Sequence, residues 1–166
     1  MKLATSLVFG VIALAIAAAP ASAQGTDKGS FGAGIIAGEP TGITVRLYLK
    51  NDQAVQAAVG SAFIGNGLQG HVDYCFHPWI LTEKDTFVLP VYLGPGVRVI
   101  QYYGGRGSDD NYYALGLRAV IGIVFDFKNV PLDAFLEAGG VLEYGFRDDK
   151  GFGVSINFGG GVRYYF

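Results

Sequence analysis

The chain of 166 residues holds one cysteine (Cys75), one tryptophan (Trp79) and two histidines (His71 and His77). A single thiol rules out an intramolecular disulfide. With so few histidines and thiols, a dedicated transition-metal centre is not expected. Charged residues make up only 16% of the chain, and the formal charge is −2, with no basic run or stripe. Nucleic acid is therefore not an expected partner. Beyond the first twenty residues no apolar run is long enough to cross a membrane as a helix. Glycine is abundant instead, at 26 residues, beside 12 Phe and 10 Tyr. That composition suits strands and turns better than helices.

The amino terminus has the organisation of a secretory signal. Lys2 supplies the positive region, residues 3–19 the apolar region, and Ala21-Ser22-Ala23 a small-residue cleavage site before Gln24. Residues 1–23 are thus expected to be a removed leader. No cysteine follows the apolar run, so a lipoprotein route has no support. Residues 24–166 are then one domain by length.

Read by alternation, that domain divides into eight segments: 30–38, 41–50, 53–63, 68–77, 87–103, 112–127, 133–146 and 152–166. Turn formers separate them: Glu39-Pro40, Asn51-Asp52, Gly65-Asn66-Gly67 and residues 78–86, 104–111, 128–132 and 147–151. The last segment is the cleanest. Phe152, Val154, Ile156, Phe158, Val162, Tyr164 and Phe166 share one parity, while Ser155, Asn157 and Arg163 share the other. A strand shows alternate residues to opposite faces, so this segment has one apolar face and one polar face.

The same sorting runs through the chain. Ile43, Val45, Leu47, Val72, Val97, Leu115, Leu117, Ile121, Leu136 and Leu142 fall on a parity that carries no charge. Arg46, His71, Asp73, Arg98, Arg118, Glu137, Glu143 and Arg163 fall on the other, among glycines, Thr44 and Gln56. A water-facing surface normally carries about a quarter or more of charged residues. The polar parity here has roughly one charge per strand, too few for an outer surface in water. Turned inward, the arginines can pair with the acids, and the glycines leave room for long side chains. An arginine facing lipid near mid-bilayer would cost about 2–4 kcal/mol. The expectation is an all-β fold: a closed, eight-stranded, antiparallel, up-and-down transmembrane β-barrel with its charges inside.

Most segments reach the roughly 9–11 residues a tilted spanning strand needs. Aromatics gather where interfacial girdles are expected: Tyr102, Tyr103, Tyr112 and Tyr113 at one rim, with Trp79, Tyr164 and Phe166 at the other. Pro95, inside Gly94-Pro95-Gly96, is the misfit, because proline cannot donate to a ladder. A bulge or bend is expected there, or else two shorter strands.

With the cleavage site Ala21-Ser22-Ala23, the inward Arg46, Arg98, Arg118, Glu137 and Arg163, and the terminal Gly161-Val-Arg-Tyr-Tyr-Phe166, the chain resembles the OmpA/OmpX-like family of eight-stranded outer-membrane barrels. It is closest to small stand-alone forms that lack a periplasmic domain. The resemblance covers nearly all of residues 24–166 and implies a bacterial outer-membrane location. It also implies lipid and lipopolysaccharide as surroundings, and a barrel-assembly machinery that reads Val162, Tyr164 and Phe166. A host or envelope protein ligand is a further implication. The loops depart from adhesive members of the family by being short, which weakens that one.

Catalytic signals are poor. His71 and Asp73 lie two residues apart on the inward face, about 7 Å along a strand, but no serine is placed to join them. A side-chain network inside the barrel is the expected role, with no enzyme activity, cofactor or metal. The run Gly104-Gly-Arg-Gly-Ser-Asp-Asp110 lacks the following helix that a phosphate cradle needs. Asp109-Asp110 and Asp148-Asp149 are read as solvated loop acids rather than calcium ligands. A ring of eight strands has room only for its own side chains or one small ligand. A structural role in the envelope is therefore expected first, a narrow pore second and a surface binder third.

Overall fold

The computed structural model describes residues 28–62, 66–104, 111–146 and 151–166. The expected leader and the acids Asp109, Asp110, Asp148 and Asp149 lie outside them. Eight strands follow one another: β1 (Phe31–Gly38), β2 (Thr41–Lys50), β3 (Gln53–Ala62), β4 (Gly67–Glu83), β5 (Phe87–Tyr102), β6 (Tyr112–Phe127), β7 (Leu132–Gly145) and β8 (Phe152–Tyr165). Each pairs antiparallel with its neighbour in sequence, and β1 pairs with β8, so the sheet closes on itself as an up-and-down ring. Among the described residues there is no helix.

Local chemistry explains the connections. β1 ends at Gly38, whose φ of 123° suits glycine and strains other residues. Thr41 Oγ1 accepts from the Gly38 amide at 2.8 Å, which holds the short turn to β2. Asn51 and Asp52 form the turn from β2 to β3, as Asn and Asp tolerate such backbone angles. At the seam, Ala33 stands opposite Tyr164 and Ile35 opposite Val162, and the Phe166 amide donates to Phe31 O at 3.0 Å.

Closure gives every strand an inner and an outer face, and the sequence sorts cleanly between them. Arg46, Asp73, Arg98, Arg118, Asp133 and Arg163 are buried, whereas Ile35, Ile43, Leu117, Ile121, Leu136, Val154 and Phe158 are exposed. Exposed charged side chains among the described residues lie only at strand ends and in turns. This inverts the polarity of a protein whose core is made of apolar side chains. Among the described residues only small apolar clusters lie inside, one of them uniting Ile36, Tyr92, Val124 and Phe135.

Two expectations about strands need correcting. The fourth strand does not stop at His77, since β4 continues to Glu83 and only residues 84–86 turn. Alternation fails beyond His77 because the β4–β5 register shifts twice, between Phe76 and Trp79 and between Ile80 and Thr82. Each shift inserts an unpaired residue and flips the facing, which hides a strand from a period-two reading. No register shift falls at Pro95, where one was expected: the two shifts lie further along, opposite Val91–Leu93 and Leu89–Pro90. β5 itself is continuous, and its register with β6 runs unbroken through Gly94↔Val120, Pro95↔Ala119 and Gly96↔Arg118. Val91 shares the parity of the outward Val97, yet it is buried where it pairs with Trp79.

Candidate functional site

The inner faces of the strands place nearly all the buried charge in three layers. The middle layer draws on five strands. Arg118 of β6 donates to Asp73 of β4, and through Nη2 to Glu137 Oε1 of β7 at 2.9 Å. Gln56 of β3 donates to the same two acids, at 3.1 Å to Asp73 Oδ2 and 2.9 Å to Glu137 Oε2. Tyr92 of β5 adds its hydroxyl to Glu137 Oε2 at 2.7 Å. His71 Nε2 lies 3.7 Å from Asp73 and 3.8 Å from Glu137.

Glycines make this crowding sterically feasible. A Cβ at residue 139 would lie 2.7 Å from Arg118 Nε, and one at residue 96 would lie 2.0 Å from Asp73 Oδ1. One at residue 122 would lie 2.4 Å from Tyr92 Cζ. The polar parity is rich in glycine because each of these gaps is filled by a neighbour's side chain.

The layer toward the 104–111 connection is simpler. Arg98 Nη1 reaches Glu143 Oε2 at 3.2 Å and Ser155 Oγ at 2.9 Å. Tyr102 donates to Glu143 Oε1 at 2.7 Å and stacks on Tyr112, with ring centroids 4.8 Å apart. The four tyrosines expected to form a girdle at this rim therefore divide. Tyr103 and Tyr113 are exposed, while Tyr102 and its stacking partner Tyr112 belong to the inner layer.

The layer nearest the termini holds Arg46 and Arg163. Arg163 forms a two-pronged ion pair with Asp133, at 3.0 and 3.1 Å, and Tyr165 donates to the same carboxylate at 2.6 Å. The Arg163 guanidinium also lies over the Phe135 ring, 4.0 Å from its centroid. Among the described residues Arg46 has no carboxylate partner. It packs over Tyr92 at 4.5 Å and Tyr48 at 5.3 Å, and its Nη2 donates to His77 Nε2 at 2.7 Å. That bond puts the imidazole proton of His77 on Nδ1, which faces Asp52 O at 3.2 Å. The expected pairing of four arginines with Asp73, Glu137 and Glu143 thus holds for Arg98 and Arg118 only.

Parity counting by charge passed over several members. Asp133 looked like a strand-end residue, yet it is buried and stands directly opposite Arg163 in the β7–β8 register. Tyr48, Tyr92 and Tyr165 share the parity of Arg46, Gly94 and Arg163, a signal present in the sequence. Glu39, in the first turn, is buried and accepts from Gln69 Nε2 at 2.8 Å. Lys28 pairs with Asp126 at the terminus-bearing mouth.

Two chemical uses of the middle layer can be weighed on this geometry. His71, Asp73 and Glu137 present ligand atoms within 4.8 Å of one another, a set that can hold a divalent cation. The guanidinium of Arg118 already bridges both carboxylates, so the positive charge a cation would bring is in place. Catalysis would need a nucleophile or a proton acceptor facing a substrate. Ser155 belongs to the Arg98 layer, and neither the hydrogen bonds at Asp73 and Glu137 nor the charge contacts of His71 include a serine among the described residues. The arrangement is suited to holding strands together across the interior.

Trp79, Tyr164 and Phe166, expected at the terminus-bearing rim, are all exposed, and Val162 lies outward with Tyr164. Tyr164 and Phe166 meet edge to face, with ring centroids 5.1 Å apart. Comparison with protein-family models, with curated proteins and with solved structures finds no match to this chain.

Proposed function

We propose that this chain is an integral β-barrel of a bacterial outer membrane, exported by its cleaved leader, whose role is mainly structural. The observation that carries the reading is the inverted polarity of the closed sheet. Four arginines are buried inside, while the outer face between the strand ends is apolar and carries no exposed charge among the described residues. In water, such an exterior would be an adhesive patch far beyond the few hundred Å² that monomers usually expose. In hydrocarbon it is the required solution, because closure pairs the backbone groups and lipid replaces water on the outer face. Lipid and lipopolysaccharide are then the main surroundings.

The interior favours a structural role over a pore. Arginines, acids and tyrosines from facing strands meet in the middle, so side chains occupy the space a solute would need. The cross-links at Arg118 and Arg98 join strands that are not neighbours, which resists flattening of the ring.

The test is electrophoretic mobility of the refolded protein with and without boiling, together with fractionation of cells expressing the full chain. A heat-dependent shift and recovery with outer-membrane lipids are expected. A detergent-free monomer that stays in solution would overturn the proposal.

A further inference from the structure

Two guanidinium groups of the interior carry donors that nothing accepts. Arg46 and Arg163 are both 0% exposed, yet Arg46 Nε and Nη1 and Arg163 Nη1 have no hydrogen-bond partner among the described residues. Arg98 and Arg118 also leave Nε unpaired, but each of them holds a carboxylate. Arg46 holds none among the described residues. Buried polar atoms without partners are few in native proteins, and a bound ion is one of the things that accounts for them.

The register brings these two arginines to one part of the interior. On the inner face Arg46 stands opposite Gly32 and Arg163 opposite Gly34, on either side of β1. Those two positions are about 7 Å apart along the strand, and neither bears a side chain. Aromatic rings wall the surroundings. Tyr48 and Tyr165 lie with ring centroids 5.9 Å apart, and Phe135 covers the Arg163 guanidinium. The second acid of the middle layer does not serve Arg46. Glu137 is held by Arg118, Gln56 and Tyr92, and it is the ring of Tyr92 that faces Arg46. Attraction falls with distance, so an acceptor in contact outweighs an acid one ring away.

Solvent comes close to this guanidinium. A cavity of about 540 Å³ at the terminus-bearing mouth is lined by His77, Lys28, Lys128, Asp52, Glu83 and Asp126, among others. His77 Nε2 accepts from Arg46 Nη2 at 2.7 Å, so one imidazole separates the cavity from Arg46. Acids outnumber lysines in that lining, which disfavours the approach of multiply charged anions.

We propose that Arg46, with Arg163, forms a buried site for a small monovalent anion of the halide class. A halide only accepts, and it imposes no fixed geometry, so it suits N–H donors arriving from two strands. The site needs only the closed interior, so it stands or falls separately from the contact of the outer face with lipid.

The test is urea unfolding of the full chain, refolded in detergent, at constant ionic strength while chloride replaces gluconate, an anion too large for the site. Above the dissociation constant, each further tenfold in chloride should raise the folding equilibrium constant about tenfold. Arg46→Met keeps an unbranched side chain but removes the donors, and it should lose that dependence. Anomalous scattering from crystals of the parent chain grown in bromide should place the ion on the Arg46 guanidinium, a readout that does not require the variant to fold. Equal stability of the parent in chloride and gluconate would overturn the site, since water would then serve these donors. Bromide found only at the surface, or a chloride dependence that Arg46→Met retains, would overturn it as well.

Discussion

The hydroxyl of Tyr92 donates to Glu137 at 2.7 Å while the same ring lies over the Arg46 guanidinium at 4.5 Å. One side chain thus links the layer with a surplus carboxylate to the layer with a surplus cation. Arg46 is fully buried with no acid beside it among the described residues, and the middle layer has two acids for Arg118. Tyr92 touches both imbalances. Tyr92→Phe keeps the ring over Arg46 and removes only the donor to Glu137, so a loss of about 1–2 kcal/mol is expected. Tyr92→Leu, which also removes the aromatic face, should lose measurably more. Urea unfolding in lipid vesicles reads both, and equal losses would mean that the ring contact contributes nothing.

Asp133 and Arg163 form the most complete buried ion pair, with two parallel bonds between facing residues of adjacent strands. Asp133→Asn would leave the guanidinium buried and uncompensated, at a cost of about 3–5 kcal/mol. Replacing both residues, Asp133→Leu with Arg163→Met, should recover most of that loss, because neither charge then needs solvation. The same unfolding assay decides. Failure of the double variant to recover would show that Tyr165, which also donates to Asp133, is the dominant partner.

These pairs mark how far the sequence could be read. Eight strands, their order and the inward parity of Arg46, Arg98, Arg118 and Arg163 were legible because a period-two pattern with no outward charge has few physical explanations. The partners were less so. Glu137 finds Gln56 across the ring, 81 residues away, and neither period nor spacing encodes a contact across a closed interior. Asp133 is different, since once the β7–β8 register is fixed it must face Arg163. The far end of β4 was missed for a third reason. Two register shifts and a free edge expose Trp79, Ile80 and Leu81 together, and no alternation survives to be seen.

Facing itself can be tested by substitution. Ile121 is exposed on the outer face at a position paired with Leu93 and Ala138. Ile121→Arg should cost about 2–4 kcal/mol and block stable insertion into vesicles. The sequence alone suggests Gly122→Ser as the harmless comparison, but a Cβ there would press on the Tyr92 ring at 2.4 Å. Gly153→Ala is the better control, since its nearest neighbour, Glu143 Cγ, would be 3.7 Å away. Insertion yield by protease protection should fall sharply for Ile121→Arg and stay at the parental level for Gly153→Ala. Equal yields would mean that the apolar face does not meet lipid.

Phe166 separates assembly from stability. Its amide closes the seam onto Phe31 O at 3.0 Å, and its ring packs against Tyr164 and stacks on Phe31 at 6.3 Å. Phe166→Ala keeps the backbone bond and trims only an exposed ring, so refolded protein should lose no more than about 1 kcal/mol. If the terminal aromatic is read during assembly, the same variant should accumulate poorly in the outer membrane of cells. Vesicle refolding and membrane yield must then diverge. Should both stay at parental levels, the ring has no sorting role. Should both fall together, it acts by holding the seam between β8 and β1.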